Sequence, residues 1–539
     1  MGASTGAPTR RVAREVFDGL GMLGRLSRDL PAFLRAPVTV EHARARVREC
    51  LARRDSRFLD LVERAVYRRP ASPYARLLRH AGCELGDLRT LVTREGVEGA
   101  LGLLAERGVY VTFDELKGRS TAARGSSRFD FTQPDFDNPL VSPHFAVYTS
   151  GSSGQSSRVR RSLSFVEEVA ISTALGFDAH GLRAPRVVLW LTAPVQWMLT
   201  FPKLRWPIAG WFYLLRPLPW VARIGARYLA LLTASSGCRI PRPVHCDPRQ
   251  SRKLAEWLAR ERRQGHPLIV LSAVSPAVQL ALTAQSAGID LRDVMFSAAG
   301  EPLTEARRRH IEASGARVFA TYAATEMTAA ASGCATPSAV DDVHFFDDRN
   351  AVIARSREVE RGGPVVESLL FSSISSSSPK LLLNAELGDY ARIERRACDC
   401  GLGALGLRTH LSDIRSFEKL NSEGVSYARA NLLPIVERVL PRRFGGASIH
   451  YQLVEEEAAD TSTRMVLRVH PSIGPVDETA LRQGFLEELA RDGSLLDRYQ
   501  AELLRCAQAV TISRQPPIAT KAGKILPFQI IRHDRRPAD

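Results

Sequence analysis

The sequence predicts an α/β protein, with a large N-terminal domain of helix-covered, largely parallel sheets and a small, mobile C-terminal α+β domain. Three observations predict it. Strand-length apolar runs alternate with helical periodicity between about residues 186 and 322, the pattern changes after about Thr409, and 539 residues exceed what one core supports.

Residues 1–140 read as a helical segment of the large domain, because AREVFDGLGMLGRL, HARARVRECLARR and SRFLDLVERAV space apolar residues at the helical period. A loop rich in Ser, Asp and Pro, Gly118 to Pro143, leads to the strand-like run and Gly/Ser loop of HFAVYTSGSSGQSSRVRR. The core, 141–409, continues with strand RVVLWLT and a helix from Asp247 that has Pro248 at its first position and Gly265 past its end. Strand LIVL, a helix from Ser275, strand VMFSAA, helix PLTEARRRHIEASG and strand ARVFATY follow. Such alternation favours a parallel sheet, and ligands gather at the carboxyl ends of its strands. Residues 410–539 form the small domain, from strands IHYQLV and MVLRVH, helix DETALRQGFLEELAR, strand VTISRQ and a terminal Gly/Lys loop. The serine tract Ser372 to Ser378 reads as a flexible loop.

The composition, 45% hydrophobic and 24% charged, is that of a folded globular chain. The net charge of +16 comes from 74 basic and 58 acidic residues, and only seven of the basic ones are lysines. These charges are scattered among acidic neighbours, and no basic stripe with interleaved aromatics appears, so nucleic acid is excluded as a partner. Eight cysteines are too few for a disulfide framework, and the N-terminus lacks a signal-peptide core, so a cytoplasmic location is expected. Val187 to Ala234 is aromatic and apolar, but Lys203, Arg205, Arg216, Arg223 and Arg227 cut it too short to span a bilayer. It reads as core or pocket wall, with peripheral membrane contact as the alternative.

Five loops carry chemistry. Thr149, Ser150, Gly151, Ser152, Ser153 and Gly154 combine hydroxyls with glycines, which lets the backbone approach a phosphate. Gly300-Glu301 and Tyr322-Ala323-Ala324-Thr325-Glu326 follow apolar strands, where a carboxylate can hold Mg²⁺ and a ring can stack on a base. Leu387-Gly388-Asp389 places an acid where ribose hydroxyls can donate to it. Thr520-Lys521-Ala522-Gly523-Lys524 concentrates two of the seven lysines.

In order and approximate spacing these motifs resemble those of the adenylate-forming superfamily of acyl-CoA synthetases, adenylation domains and luciferases. AAGEPL, the Cys-x-Cys-Gly and the helical N-terminal segment look closest to its phenylacetate-CoA ligase-like branch. The resemblance implies that Thr149 to Gly154 hold the pyrophosphate end of ATP and that Glu326 ligates Mg²⁺. Gly300, Glu301, Tyr322 and Thr325 would surround the nucleotide, Asp389 the ribose, and Lys524 the reacting carboxylate and α-phosphate. The sequence departs from the family in two places. Gln155-Ser156-Ser157-Arg158 replaces Pro-Lys-Gly, which leaves Arg158, Arg160 or Arg161 as cationic substitutes, and His410 stands at the hinge arginine position, where a catalytic role would fall to it. Cys398 and Cys400, with Cys334 and His344, could bind structural zinc.

The expected function is ATP-dependent activation of a small-molecule carboxylic acid to its acyl-adenylate, then transfer to coenzyme A. The alternatives are transfer to a carrier protein or amine, or a non-catalytic nucleotide-binding relative. Trp190 to Tyr213 and Ser272 to Leu282 are expected to shape the acid pocket.

Overall fold

The computed structural model describes residues 7–148, 158–191, 194–214, 220–234, 237–327, 329–358, 365–416, 421–422, 425–426, 432–457, 463–491, 510–520 and 523–531. The expected architecture is present. A twelve-stranded sheet organises the large domain, and a four-stranded sheet organises the small one.

Half of the large sheet is parallel, in the spatial order Pro243–His245, Ile208–Tyr213, Arg186–Trp190, Leu268–Ala273, Val294–Ala299, Arg317–Tyr322. Strand Leu268–Ala273 is buried throughout, as a strand covered on both faces must be. Helices Leu163–Ala179 and Val195–Lys203 pack on one face, and Arg252–Arg262 and Val274–Ser286 on the other. Ser162 caps the first of these, accepting from the Phe165 amide at 3.2 Å, and Pro202 sits within the second.

From Arg317–Tyr322 the sheet continues antiparallel through Ala331–Gly333, Val343–Phe345, Thr409–Ser416, Ala385–Arg395, Val365–Ser373 and Asn350–Glu358. The helical segment, including Arg54–Val62, Pro73–His80 and Leu85–Glu106, buries its apolar stripes on this half. The large sheet extends to Ser416, past the boundary expected at Thr409. Strands Tyr451–Glu457 and Thr463–Val469 are the antiparallel centre of the small sheet, with helix Glu478–Arg491 packed against it.

The serine tract is not the loose loop expected. Ser372, Ser373, Ser375 and Ser378 are buried, and Asn138 Nδ2 donates to the carbonyls of Ser376 (3.0 Å) and Ser378 (2.8 Å). Small hydroxyls suit a buried turn, because each can find a backbone partner there. Trp190, Phe201 and Trp206 lie in the core, and among the described residues no helix is long and apolar enough to cross a membrane.

Candidate active site

Parallel strands deliver the site. Ala273, Ala299 and Thr321 lie in register at the ends of adjacent strands, so Ser275, Gly300-Glu301 and Tyr322 to Glu326 emerge along one edge. Gly300 takes φ +78°, a conformation that side chains with a Cβ rarely adopt. Lys524 lies over it, since a Cβ at Gly300 would fall 2.5 Å from Lys524 Nζ and 2.9 Å from its Cε. The tip carrying Lys524 is a small hairpin: Gly523 N donates to Thr520 O, Thr520 N donates to Lys524 O, and Lys524 N donates to Thr520 Oγ1. Gly523 (φ +73°) rests on Leu214, Pro276 and Pro248 of the large domain at 3.4–3.5 Å from its missing Cβ.

Tyr322 is buried and stacked on Phe371 with ring centroids 6.0 Å apart, and its hydroxyl donates to Asp389 Oδ2 at 2.8 Å. Burial, then the Asp389 charge, push the phenol well above its ordinary range, so it stays a donor at any physiological pH. One hydrogen bond thus joins the strand-end aromatic to the acid of a strand from the other half-sheet.

Glu326 is buried and ion-paired with Lys117 Nζ at 3.0 Å. Arg161 is buried beside the same loop, donating to Thr325 O at 2.6 Å and to Gln196 Oε1 at 3.1 Å. Burial lowers its pKa to about 10 against the pull of Glu326, which leaves it charged at neutral pH. Of the three cationic substitutes expected, Arg161 therefore flanks the site. Arg158 and Arg160 instead face Asp18, and Arg160 also faces Asp137. Lys117, which belongs to the helical segment, was missed; its rarity among arginines was the available signal. Glu301 accepts from Ser275 N at 2.8 Å and Ser275 Oγ at 2.6 Å, which commits it to the first turn of helix Val274–Ser286. Thr149 to Gly154 lie outside the described residues, between paired strands Phe145–Tyr148 and Arg158–Arg161.

A cavity with about 530 Å³ of empty space, counting its mouth, opens beside Ala299, Thr321 and Ala323. Its walls are Phe177, Trp197, Phe346, Leu271, Leu191 and small Ser, Thr and Ala side chains, and none of the described residues lining it is charged. From the two stretches expected to shape a pocket, Leu191, Trp197 and Ser272 contribute.

Elsewhere, Cys334, His344, Cys398 and Cys400 present ligand atoms within 4.8 Å of one another, a cluster able to hold a metal. Cys334 and Cys398 sulfurs are 3.4 Å apart, and Cys400 Sγ is 3.0 Å from His344 Nε2. A tetrahedron with zinc–sulfur bonds of about 2.3 Å has edges of about 3.8 Å, so the set fits zinc after a small expansion. His344 Nδ1 lies 3.1 Å from Leu407 O, which keeps Nε2 available as the ligand. Gly403 makes the turn, since a Cβ there would meet the Cys398 carbonyl at 2.0 Å. The hydrogen bond with Cys334 and the neighbouring imidazole hold the Cys400 thiol far below its ordinary value, and the partner thiol of Cys334 is pushed up.

His410 belongs to this neighbourhood and not to the strand-end edge that carries Gly300 and Tyr322. It pairs across the sheet with His344, and its Nδ1 is 2.8 Å from Asp342, which also binds Arg396. It is buried on an internal strand of the large sheet, between strands Val343–Phe345 and Ala385–Arg395.

The fold is that of adenylate-forming enzymes. A 2-hydroxyisobutyryl-CoA ligase solved in its postadenylation state is 14% identical, with 92% of this chain and 90% of that chain covered, at a TM-score of 0.50. The same ligase in its thioesterification state (15% identity, 92% and 91% covered) gives 0.46, and the amide bond synthetase McbA from Marinactinospora thermotolerans (14%, 94% and 98%) gives 0.39. No protein-family model and no curated protein matches the chain.

The contact at Gly300 yields a prediction. In Gly300→Ala the new Cβ must displace the Lys524 ammonium, and the left-handed backbone adds a strain of about 1 kcal/mol. The Lys524 tip should lose its seat with little loss of thermal stability, checked by faster amide hydrogen exchange over residues 519–528 beside an unchanged melting curve.

Proposed function

We propose that the protein uses ATP to activate an organic carboxylic acid as its acyl-adenylate and then passes the acyl group to coenzyme A. The position of Lys524 carries this reading: a small-domain ammonium reaches the strand-end edge, against Gly300, in the domain that also holds Tyr322, Asp389 and Glu326. There it can neutralise charge developing on the α-phosphate as the carboxylate attacks, with pyrophosphate leaving. Tyr322 and Gly300 would flank adenine, and Asp389 would accept from the ribose hydroxyls. Thr149 to Gly154 would cradle the β- and γ-phosphates.

Glu326 offers a hard oxygen at the strand end, as Mg²⁺ requires, and would exchange its pairing with Lys117 for the metal. Bound there, Mg²⁺ supplies charge neutralisation across the phosphates. Arg161 and Lys117 add fixed positive charge beside the same loop. The uncharged cavity favours an acid without a second charge, its carboxylate towards Lys524 and its tail between Phe177 and Phe346.

The four-ligand cluster would hold a structural zinc, since its ligands leave no open position for chemistry. Together with AAGEPL, the Cys-x-Cys-Gly supports the phenylacetate-CoA ligase-like branch. Seven described cysteines, all free, suit a reducing cytoplasm.

Acid-dependent exchange of labelled pyrophosphate into ATP tests the reading. Exchange should appear with Mg²⁺ and monocarboxylic acids and should vanish without acid. ATP binding with no exchange across a broad acid panel would leave only the non-catalytic alternative. Where exchange occurs, offering the adenylate coenzyme A, a carrier protein or an amine decides the acceptor.

A further inference from the structure

The residue after Lys524 is gripped by a buried group that the reaction itself does not call for. Arg307, on helix Glu305–Glu312 of the large domain, is 1% exposed, and Thr304 caps that helix by accepting from the Arg307 amide. Its guanidinium faces both domains. Nη2 donates to Ile525 O at 3.2 Å, Nε lies 3.0 Å from Glu437 Oε1 of the small domain, and Nη1 lies 3.7 Å from Glu301 and donates to Pro302 O at 3.4 Å. Ser275 completes the grip, because Ile525 N donates to its Oγ at 3.2 Å while that hydroxyl is bound to Glu301.

We infer that Arg307, supported by Ser275 and Glu301, is a positioning clamp that holds the small domain in register for acyl-adenylate formation and sets Lys524 over Gly300. This rests on the function proposed above. Both partners from the small domain, the Glu437 carboxylate and the Ile525 carbonyl, reach Arg307 only when that domain is docked, whereas Glu301 and Pro302 stay with Arg307 in either state. A planar guanidinium with five donors in a fixed fork suits contacts from two sides at once, which a lysine could not reproduce.

The clamp is also built to release. Arg307 Nε and Glu437 Oε1 are close, yet neither has an aligned hydrogen bond. A buried ion pair gains little net stability over its hydrated partners, so undocking, which rehydrates Arg307 and Glu437, need not be prohibitive. An acceptor that attacks the adenylate needs room at its acyl carbon, and a breakable clamp lets the Lys524 tip withdraw to give it.

Two variants, Arg307→Ala and Glu437→Gln, test the clamp in the full-length protein. Amide hydrogen exchange, followed by mass spectrometry without substrate, should speed up at least about tenfold over Ala519 to Phe528. Strands Val294–Ala299 and Tyr451–Glu457 should keep their protection, which reports that both domains remain folded. With an active acid, kcat for pyrophosphate exchange should fall about tenfold with KM for ATP nearly unchanged, while transfer from supplied acyl-adenylate to coenzyme A holds or rises. If Arg307→Ala does not fold, Glu437→Gln, a neutral isostere on the other side of the boundary, gives the same readings. Unchanged exchange over Ala519 to Phe528 in the variants that fold, or equal losses in the two half-reactions, would overturn the clamp. Failure of every acid to support pyrophosphate exchange would instead sink the proposed function, and the substrate-free hydrogen exchange would still decide whether Arg307 holds the tip.

Discussion

Lys524→Ala will lower acid-dependent pyrophosphate exchange by about 10²–10³-fold, the usual effect of removing one donor that stabilises transition-state charge. ATP affinity should change only modestly, because in the proposed function Lys524 acts where charge develops, whereas Thr149 to Gly154, Tyr322 and Asp389 would hold the nucleotide. Comparing kcat with the Kd for ATP separates the two effects. A kcat left intact would remove Lys524 from the chemistry, and with it the meaning of its contact with Gly300. Lys524→Arg should rescue little, since the larger fork cannot fit where Nζ lies against the Gly300 backbone.

The second large effect is on stability. Protein purified without chelators should carry about one zinc per chain, and Cys400→Ser should lose it together with about 4 kcal/mol, a melting-point drop of about 4 °C. The cause is geometric: the cluster ties the end of strand Ala331–Gly333 and strand Val343–Phe345 to the 398–400 turn, which also packs on the core through Leu402. Zinc retention should weaken as pH falls, because protons compete for the thiolates and for His344 Nε2. At a temperature where the variant stays folded, pyrophosphate exchange should persist, since no open ligand position joins the cluster to the crevice. Metal-free protein with an unchanged melting point would refute the structural zinc.

The parallel half-sheet was legible because each strand is a short apolar run bounded by turn residues and each helix repeats at its own period. VMFSAA and ARVFATY became adjacent strands, and the helix expected from Ser275 begins one residue earlier, at Val274. The antiparallel half was harder to see. Strands Asn350–Glu358 and Ala385–Arg395 carry several charged residues, so their alternation is faint in sequence and is set by pairing with Val365–Ser373 and by packing against the helical segment. That same pairing carries Thr409–Ser416, and His410 with it, into the large sheet.

The catalytic candidates were legible as residue types at strand ends, but their partners were not. Nothing local to Glu326 announces Lys117, which lies 209 positions earlier in the chain. Nothing local to Arg307 announces Glu437 or Ile525, and both come from the other domain.

By itself, then, the amino-acid order determined the alternation of strand and helix, the glycine where the backbone turns left-handed, and the three cysteines and one histidine able to hold a metal, since these depend on neighbours a few residues away or on side-chain chemistry alone. Only the folded chain decided which arginine enters the crevice, which carboxylates are already paired, and how the Lys524 tip meets Gly300. Those outcomes depend on contacts across hundreds of residues, where burial and charge pairing choose among groups that look equivalent along the chain.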